Sequence, residues 1–395
     1  MRYSVSLGSF GNLTSWVGSH AATMPGLILL RALPAAVYLL VARNTSLVGK
    51  TVSAIGLIAL LVVAKLVDPL WRDLAIYGPL LVLYFLIATA VSIGACRQGL
   101  GRFSAFILFV AVFVILPALF PFGSLRSFGV VVGWEFLLAS YSIRVDGYVG
   151  RRRPRVSEHL FFVLVNPCIV YLERGQQSGR VGPRGLGRCL LGALVILCGR
   201  LAQATVDRHR LADLSSASYV VGLVLLSGTY MQHSGLASVQ IGLMRSIGWD
   251  IPERYRYPLF ASSPAEFWAR WNTYVGSWVR RYVFTPTARL FLRSSGMHRQ
   301  GGRFAAVLAA FVTIGALHEL PTLAQTWSVS WIWLTFFVTQ ALWLIAWELG
   351  MGSSGRTLGP AELGHWHAFM SRSCRTAATI SGVVLSVMLM GRVVG

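Results

Sequence analysis

The stretch LAIYGPLLVLYFLIATAVSIGA, Leu74–Ala95, carries no charged side chain from end to end. At about 1.5 Å of rise per residue, a helix of this length crosses the roughly 30 Å hydrocarbon core of a bilayer. A soluble fold has little use for so long an apolar run, and this one has company. Working outward, further runs lie near Leu27–Ala42, Thr51–Val67, Ser104–Phe122, Gly129–Ile143, Leu190–Ala204, Ala217–Met231, Phe304–Leu317, Trp331–Trp347 and Ala377–Met390. The expectation is an all-α, polytopic membrane protein of about ten transmembrane helices. No repeat or low-complexity linker divides it, so residues 1–395 read as a single membrane-embedded domain, with N-terminal spans within 27–122 and a C-terminal span at 377–390.

Composition agrees. Of the 395 residues, 55% are hydrophobic and 12% charged, about half the usual charged share, and the mean hydropathy is +0.63. The net charge of +21 comes almost wholly from Arg, since Lys occurs only at Lys50 and Lys65. Arg151, Arg152, Arg153 and Arg155, then Arg174, Arg180, Arg184 and Arg188, crowd between apolar runs. Such clusters read as cytoplasmic loops that orient the chain and attract anionic lipid. No basic stripe falls on a soluble domain, which argues against nucleic acid; an anionic co-substrate could still exploit the field. Five cysteines, Cys96, Cys168, Cys189, Cys198 and Cys374, form neither a CxxC pair nor a metal-ligand spacing. His365 and His367 lack a third ligand, so no metal is expected. The first apolar run begins only near Leu27 and contains Arg31, so no cleavable signal peptide is expected.

The segment Ser263–Phe284, SPAEFWARWNTYVGSWVRRYVF, differs from the spans. Trp268, Trp271, Val275, Trp278 and Tyr282 recur at three-then-four spacing, one face of a helix, with Arg270, Arg280 and Arg281 on other faces. Ser263, Pro264 and Glu266 make a helix start. An interfacial or re-entrant helix is expected, because Trp and Tyr favour that depth. Ionisable residues inside apolar runs are functional candidates: Glu135, His159, His233, Glu348 and above all His318, which ends the run RFAAVLAAFVTIGALHELP.

Four ordered segments resemble the membrane-bound O-acyltransferase (MBOAT) family. The central one, Tyr230–Phe284, has a Ser-Gly turn (Ser234, Gly235), an Ile-Gly pair (Ile241, Gly242), Pro252 and Tyr257. Its Phe-Trp-x-Arg-Trp block is Phe267, Trp268, Arg270 and Trp271, followed by Trp278, Arg281 and Tyr282. Gly133–Gly150 and Phe161–Gly175 are similar to two upstream family segments, and GALHE occupies the place of the histidine segment. The resemblance covers roughly residues 128–348. It implies a polytopic helical protein with a catalytic tunnel, and its two signature positions fall on His318 and Asn272. Asn272 stands where polysaccharide-acetylating relatives usually carry His; Asn is common in branches that acylate lipids, sterols and proteins. Leu317 and Glu319 replace the usual Trp and Gly beside the histidine.

The resemblance implies transfer of an acyl group from a thioester, acyl-CoA or acyl carrier protein, to a hydroxyl of an envelope glycan, glycolipid or lipid. It implies no further cofactor, a multi-pass site in the bacterial inner (cytoplasmic) membrane, and room for an accessory envelope protein. His318 is the expected general base, kept neutral between turnovers by its dry surroundings. Asn272 would orient substrate or steady an oxyanion. Trp268, Arg270, Trp271, Arg281, Ser234 and Glu319 are the expected substrate-binding residues, with Arg270 and Arg281 equally able to snorkel to the interface. A proton-coupled transporter or flippase, or a non-catalytic scaffold of envelope assembly, remains open at this point.

Overall fold

A computed structural model describes residues 71–120, 123–148, 153–165, 168–169, 184–205, 216–246, 248–294, 299–353 and 365–394. The runs at Leu27–Ala42 and Thr51–Val67 lie outside the described residues, as do Arg151, Arg152, Arg174 and Arg180. Among the described residues the chain is helical throughout, without strands.

In chain order the helices are α1 (Trp71–Arg97), α2 (Arg102–Ala118, with a π-turn at Ala111–Ile115), α3 (Gly123–Ser142) and α4 (Val156–Leu160). Then come α5 (Arg184–Ala204), α6 (Ser216–Ser246), α7 (Pro264–Arg270), α8 (Thr273–Val279) and α9 (Thr285–Ser294). Three long helices finish the chain: α10 (Arg299–Thr326), α11 (Ile332–Ser353) and α12 (His365–Val394). Three helices, at Gly185–Ala204, Gln300–Thr326 and Ile332–Gly350, are long and apolar enough to cross a membrane, and Leu81–Arg97 and Arg102–Ala118 are shorter apolar helices. Arg184 and Arg188, expected in a loop, lie in the first turns of α5.

Burial is arranged for a lipid solvent. On α5, Leu190, Leu191, Leu194, Leu197 and Leu201 are exposed, whereas the opposite stripe is glycine. Gly185, Gly192 and Gly199 meet Gly242, Gly235 and Gly228 of α6, so the two helices pack antiparallel. The approach is so close that a Cβ on Gly192 would sit 2.6 Å from the Gly235 carbonyl oxygen, and one on Gly235 would sit 2.6 Å from that of Gly192. Helices in lipid have no hydrophobic drive to associate, so van der Waals contact between bare backbones replaces it. α3 packs against α10, α10 against α11, and α12 against both α11 and α6. A second core gathers Phe85, Phe109, Phe113 and Phe136 between α1, α2 and α3.

Ser263–Phe284 is the main departure from expectation. Its start forms as read, with Pro264 in the first turn and the Ser263 hydroxyl accepting from the Glu266 N–H at 3.1 Å. The helix then breaks, because Asn272 sits in the left-handed region at φ 40°, ψ 65°. Asn tolerates that region better than other non-glycine residues. The strap Ile251–Tyr257 fills the gap, with Thr273 N–H donating to the Arg254 carbonyl at 2.7 Å and Arg256 N–H to that of Arg270 at 3.0 Å.

Gly192→Ala should lower the stability of the detergent-purified protein by about 1–3 kcal/mol, the range for overpacking a tight contact. Gly187, also on α5, has open space where its Cβ would be, so Gly187→Ala should leave the thermal midpoint unchanged or raise it. Equal midpoints for the two variants would refute the close packing.

Candidate functional site

His318 lies on α10, three residues before Pro321. Proline has no N–H to give the Leu317 carbonyl, which loosens the helical ladder around the histidine turn. Its imidazole is walled by aromatic rings: Phe337 at 4.8 Å between centroids, with Trp134 and Trp333 each at 5.6 Å. The Nδ1 atom is 2.8 Å from the Ile314 carbonyl oxygen. A carbonyl can only accept, so Nδ1 carries the proton and Nε2 keeps the lone pair. That is the tautomer a general base needs.

A second imidazole is held in the same way. His233 on α6 has Nδ1 2.8 Å from the Thr229 carbonyl oxygen, and it lies within electrostatic reach of both His318 and Arg254. About two turns further along α6, Gln240 accepts from an Arg254 terminal nitrogen at 3.4 Å. The Arg254 Nε–H donates to the Asn272 side-chain oxygen at 3.0 Å, and its other terminal nitrogen to Glu135 at 3.1 Å. Glu135 follows Trp134 on α3, so adjacent residues of one helix touch the His318 cage and the Arg254–Asn272 pair. His318 and Asn272, distant in the chain, are thus linked through intermediate side chains, His233 within electrostatic reach of both His318 and Arg254, and Arg254 bonded to Asn272.

The remaining expected residues divide. Trp268 joins the aromatic wall through Phe337 at 5.6 Å and Phe311 at 5.3 Å, and its indole N–H donates to Gln340 at 3.3 Å. Trp271 stacks on Phe267 at 5.5 Å and faces Tyr230 and Tyr255. Ser234 is half-buried and donates back to the Met231 carbonyl at 3.2 Å. Arg270 is paired with Glu266 and donates to the Tyr257 carbonyl at 3.4 Å. Burial alone would raise the Glu266 carboxyl, but the Ser262 N–H and hydroxyl and Arg270 outweigh it and hold it below its usual range. Arg281 pairs with Asp146 at 2.9 Å. Glu319 caps the next helix, accepting from Ser330 Oγ at 2.6 Å and from the N–H groups of Trp333 and Leu334 at 2.8 and 3.3 Å. Of the other intramembrane candidates, Glu348 pairs with Arg303 at 2.7 Å, and buried His159 sits between Tyr148 and Ser92. Among the described residues no group of three or more His, Cys, Asp or Glu is placed to hold a metal. The side chains of His365 and His367 lie outside the described residues.

Over 273 residues the chain is 23% identical to a protein of Arabidopsis thaliana named probable long-chain-alcohol O-fatty-acyltransferase 2, a match covering 65% of this chain and 77% of that one. It is also 24% identical over 182 residues to the probable alginate O-acetylase AlgI of Pseudomonas aeruginosa, covering 42% of this chain and 32% of that protein. Both relatives are membrane-bound O-acyltransferases, the family that the four ordered segments resemble. A shorter match, 36% over 75 residues, joins it to probable long-chain-alcohol O-fatty-acyltransferase 1 of Arabidopsis thaliana and covers 19% of this chain and 21% of the relative. No protein-family model matches the chain. Within an O-acyltransferase, a ring nitrogen with a free lone pair beside amide and guanidinium donors is a coherent set for moving an acyl group onto a hydroxyl. Arg254 was not among the expected site residues, and the one signal in the sequence was a pair of cations, Arg254 and Arg256, between the Ile-Gly helix and the Phe-Trp block.

Glu319→Ala would strip the cap from α11 and strand donors in an apolar setting. It should lower stability by about 1–3 kcal/mol, measured by thermal unfolding in detergent. Transfer per folded molecule should stay within about threefold of wild type, since capping rather than catalysis is lost. A full loss of activity in a stable Glu319→Ala protein would assign the carboxylate to substrate instead.

Proposed function

We propose that this chain transfers an acyl group from a thioester, acyl-CoA before acyl carrier protein, to a hydroxyl of an envelope glycan, glycolipid or lipid, with the lipid end of that range favoured. The observation that carries the reading is the His318 tautomer: Nδ1 is committed to the Ile314 carbonyl, leaving Nε2 as a base inside an aromatic cage. Three observations favour an apolar acceptor. The rings of Trp134, Trp333 and Phe337 around His318 suit an alkyl chain. Asn272 occupies the position where polysaccharide-acetylating relatives usually carry histidine. The relative whose length is matched over 77% is named for long-chain alcohols.

In the proposed reaction His318 Nε2 takes the proton of the acceptor hydroxyl as its oxygen attacks the thioester carbon. The carbonyl oxygen gathers the electron pair, and the Asn272 amide donates to it. The tetrahedral intermediate then collapses, the carbon–sulfur bond breaks, and the thiolate leaves with the proton held by His318. An ester and a free thiol result, and no cofactor beyond the thioester is needed. Water is kept from the thioester by the cage. Trp268, Trp271 and Ser234 line the approach in this reading. Arg270 and Arg281, paired as they are with Glu266 and Asp146, would meet donor phosphates by exchanging partners. We further propose about ten spans in all, the described helices together with Leu27–Ala42 and Thr51–Val67, in a bacterial inner membrane where a cytosolic thioester meets its acceptor. An accessory envelope protein could complete delivery if the acceptor lies across the bilayer.

Reconstituted protein given labelled acyl-CoA and a long-chain alcohol should release free thiol and form an organic-extractable ester. His318→Ala should slow this by about 10²–10⁴-fold. Wild-type turnover by a folded His318→Ala protein would remove the base, label entering only glycan would move the acceptor, and no consumption by wild type would leave a transporter or scaffold.

A further inference from the structure

Arg254 is placed as few membrane arginines are. Its side chain is 12% exposed and that of Glu135, its partner, 9%. Each of its three nitrogens has a protein acceptor: Asn272 for Nε at 3.0 Å, Gln240 for one terminal nitrogen at 3.4 Å and Glu135 for the other at 3.1 Å. Its guanidinium carbon also lies 5.6 Å from the centre of the Tyr274 ring. With three of its five N–H donors engaged and an aromatic ring beside it, the group is largely committed to protein partners. A burial this expensive needs a reason, since a paired cation in a dry interior gives little net stability over an apolar side chain.

Consider what the Nε contact does to Asn272. A carboxamide has one oxygen and one NH₂, and it can present either by a half-turn of its terminal bond. Guanidinium nitrogens only donate, so the atom facing Nε must be the oxygen. The amide hydrogens are thereby turned to the other side. The backbone supports the arrangement: Arg254 and Asn272 are joined again through Thr273 N–H to the Arg254 carbonyl at 2.7 Å, and the strap is tied by Thr273 Oγ to the Glu253 carbonyl at 2.7 Å and by Tyr274 OH to that of Pro252 at 2.6 Å. The Arg254 contact therefore sets which way round the Asn272 amide sits.

We propose that Arg254 is a positioning residue of the transfer reaction: braced by Glu135 and Gln240, it holds the Asn272 oxygen so that the Asn272 NH₂ can only donate, towards the thioester oxygen as it becomes an oxyanion. The inference rests on the acyltransferase reading above and adds to it a residue and a direction. A preorganised donor pays no reorientation at the moment charge develops, which is where such donors are most effective. Arg254 itself touches no substrate in this account. Glu135 serves by keeping the guanidinium in place and neutralised.

The test is a double-mutant cycle on kcat in reconstituted, thermally folded protein, with Asn272→Gly as the second site because glycine accepts the left-handed backbone. Arg254→Lys keeps the charge opposite Glu135 but loses the planar fork. Alone it should lower kcat by about tenfold or more while KM for the thioester stays within about twofold. In the Asn272→Gly background the same change should cost less than about threefold, because the group it acts through is gone. Asn272→Asp covers the case in which Arg254→Lys fails to fold: it still accepts from Arg254 but cannot donate, and should lose about 10²–10³-fold in kcat. Multiplicative losses in the cycle would make Arg254 a structural residue and overturn the proposal. So would full activity of Asn272→Asp. In either case the wild type and His318→Ala still differ, so the acyltransferase reading stands; a wild type that consumes no thioester sinks both together.

Discussion

A broken helix leaves backbone donors and acceptors without their partners along the helix. Where such groups are buried, neighbouring protein has to satisfy them. Between α7 and α8 that role falls to the strap before them: Arg254 and Arg270 offer their carbonyls, and Thr273 and Arg256 offer their N–H groups. Because the strap must lie against the break, its side chains are delivered there too. Arg254 reaches Asn272, and Tyr255 packs on Trp271 at 5.6 Å. The satisfaction of a few amides therefore fixes which polar groups can gather beside the aromatic cage.

The same rule sorts the ionisable residues. An uncompensated charge in a low-dielectric interior is expensive, so carboxylates there are expected to be paired. Glu135 is paired with Arg254, Glu348 with Arg303, and Glu319 with three donors at the start of α11. His318 and His233 solve the problem differently. A neutral imidazole needs only one partner for its N–H, and each uses the carbonyl one turn back along its own helix. The second nitrogen is left for chemistry. Histidine can thus sit in a dry site without a counter-ion, whereas a carboxylate base could not.

Much of the fold was legible because hydropathy is a one-dimensional signal. The apolar runs read from the described part of the sequence fall mostly on helices, from Leu74–Ala95 on α1 to Ala377–Met390 on α12, with Ser104–Phe122 running past the end of α2 at Ala118. The start at Ser263–Pro264 was legible for the same reason, since a capping pattern is local. The break at Asn272 was not. Its heptad-like spacing of Trp and Val residues favours one continuous helix, and only the strap, a tertiary neighbour, compensates the backbone that departs from it. Glu319, expected to bind substrate, accepts from Ser330 Oγ and from the Trp333 and Leu334 N–H groups, contacts from α10 to the start of α11 that no local pattern announces. The Arg254–Glu135 pair joins residues 119 positions apart, and no local pattern announces such a contact. Asn272 stood out only through a family resemblance, whereas His318 was also marked by ending an apolar run.

The cage around His318 also bears on why an enzyme of this kind would form esters rather than hydrolyse thioesters. Water is the smaller and more abundant hydroxyl, so exclusion by size alone cannot succeed. In the proposed reading, a water beside Nε2 would meet aromatic faces on the sides closed by Phe337, Trp134 and Trp333. Buried water ordinarily needs about two to four hydrogen-bond partners. A long-chain alcohol arriving at the same nitrogen needs only one, because its alkyl chain gains from the rings of Phe337, Trp134 and Trp333 what the water would lose. On the proposed reading, with His318 as base, selectivity follows from the rings, which reward an alkyl chain more than they do water.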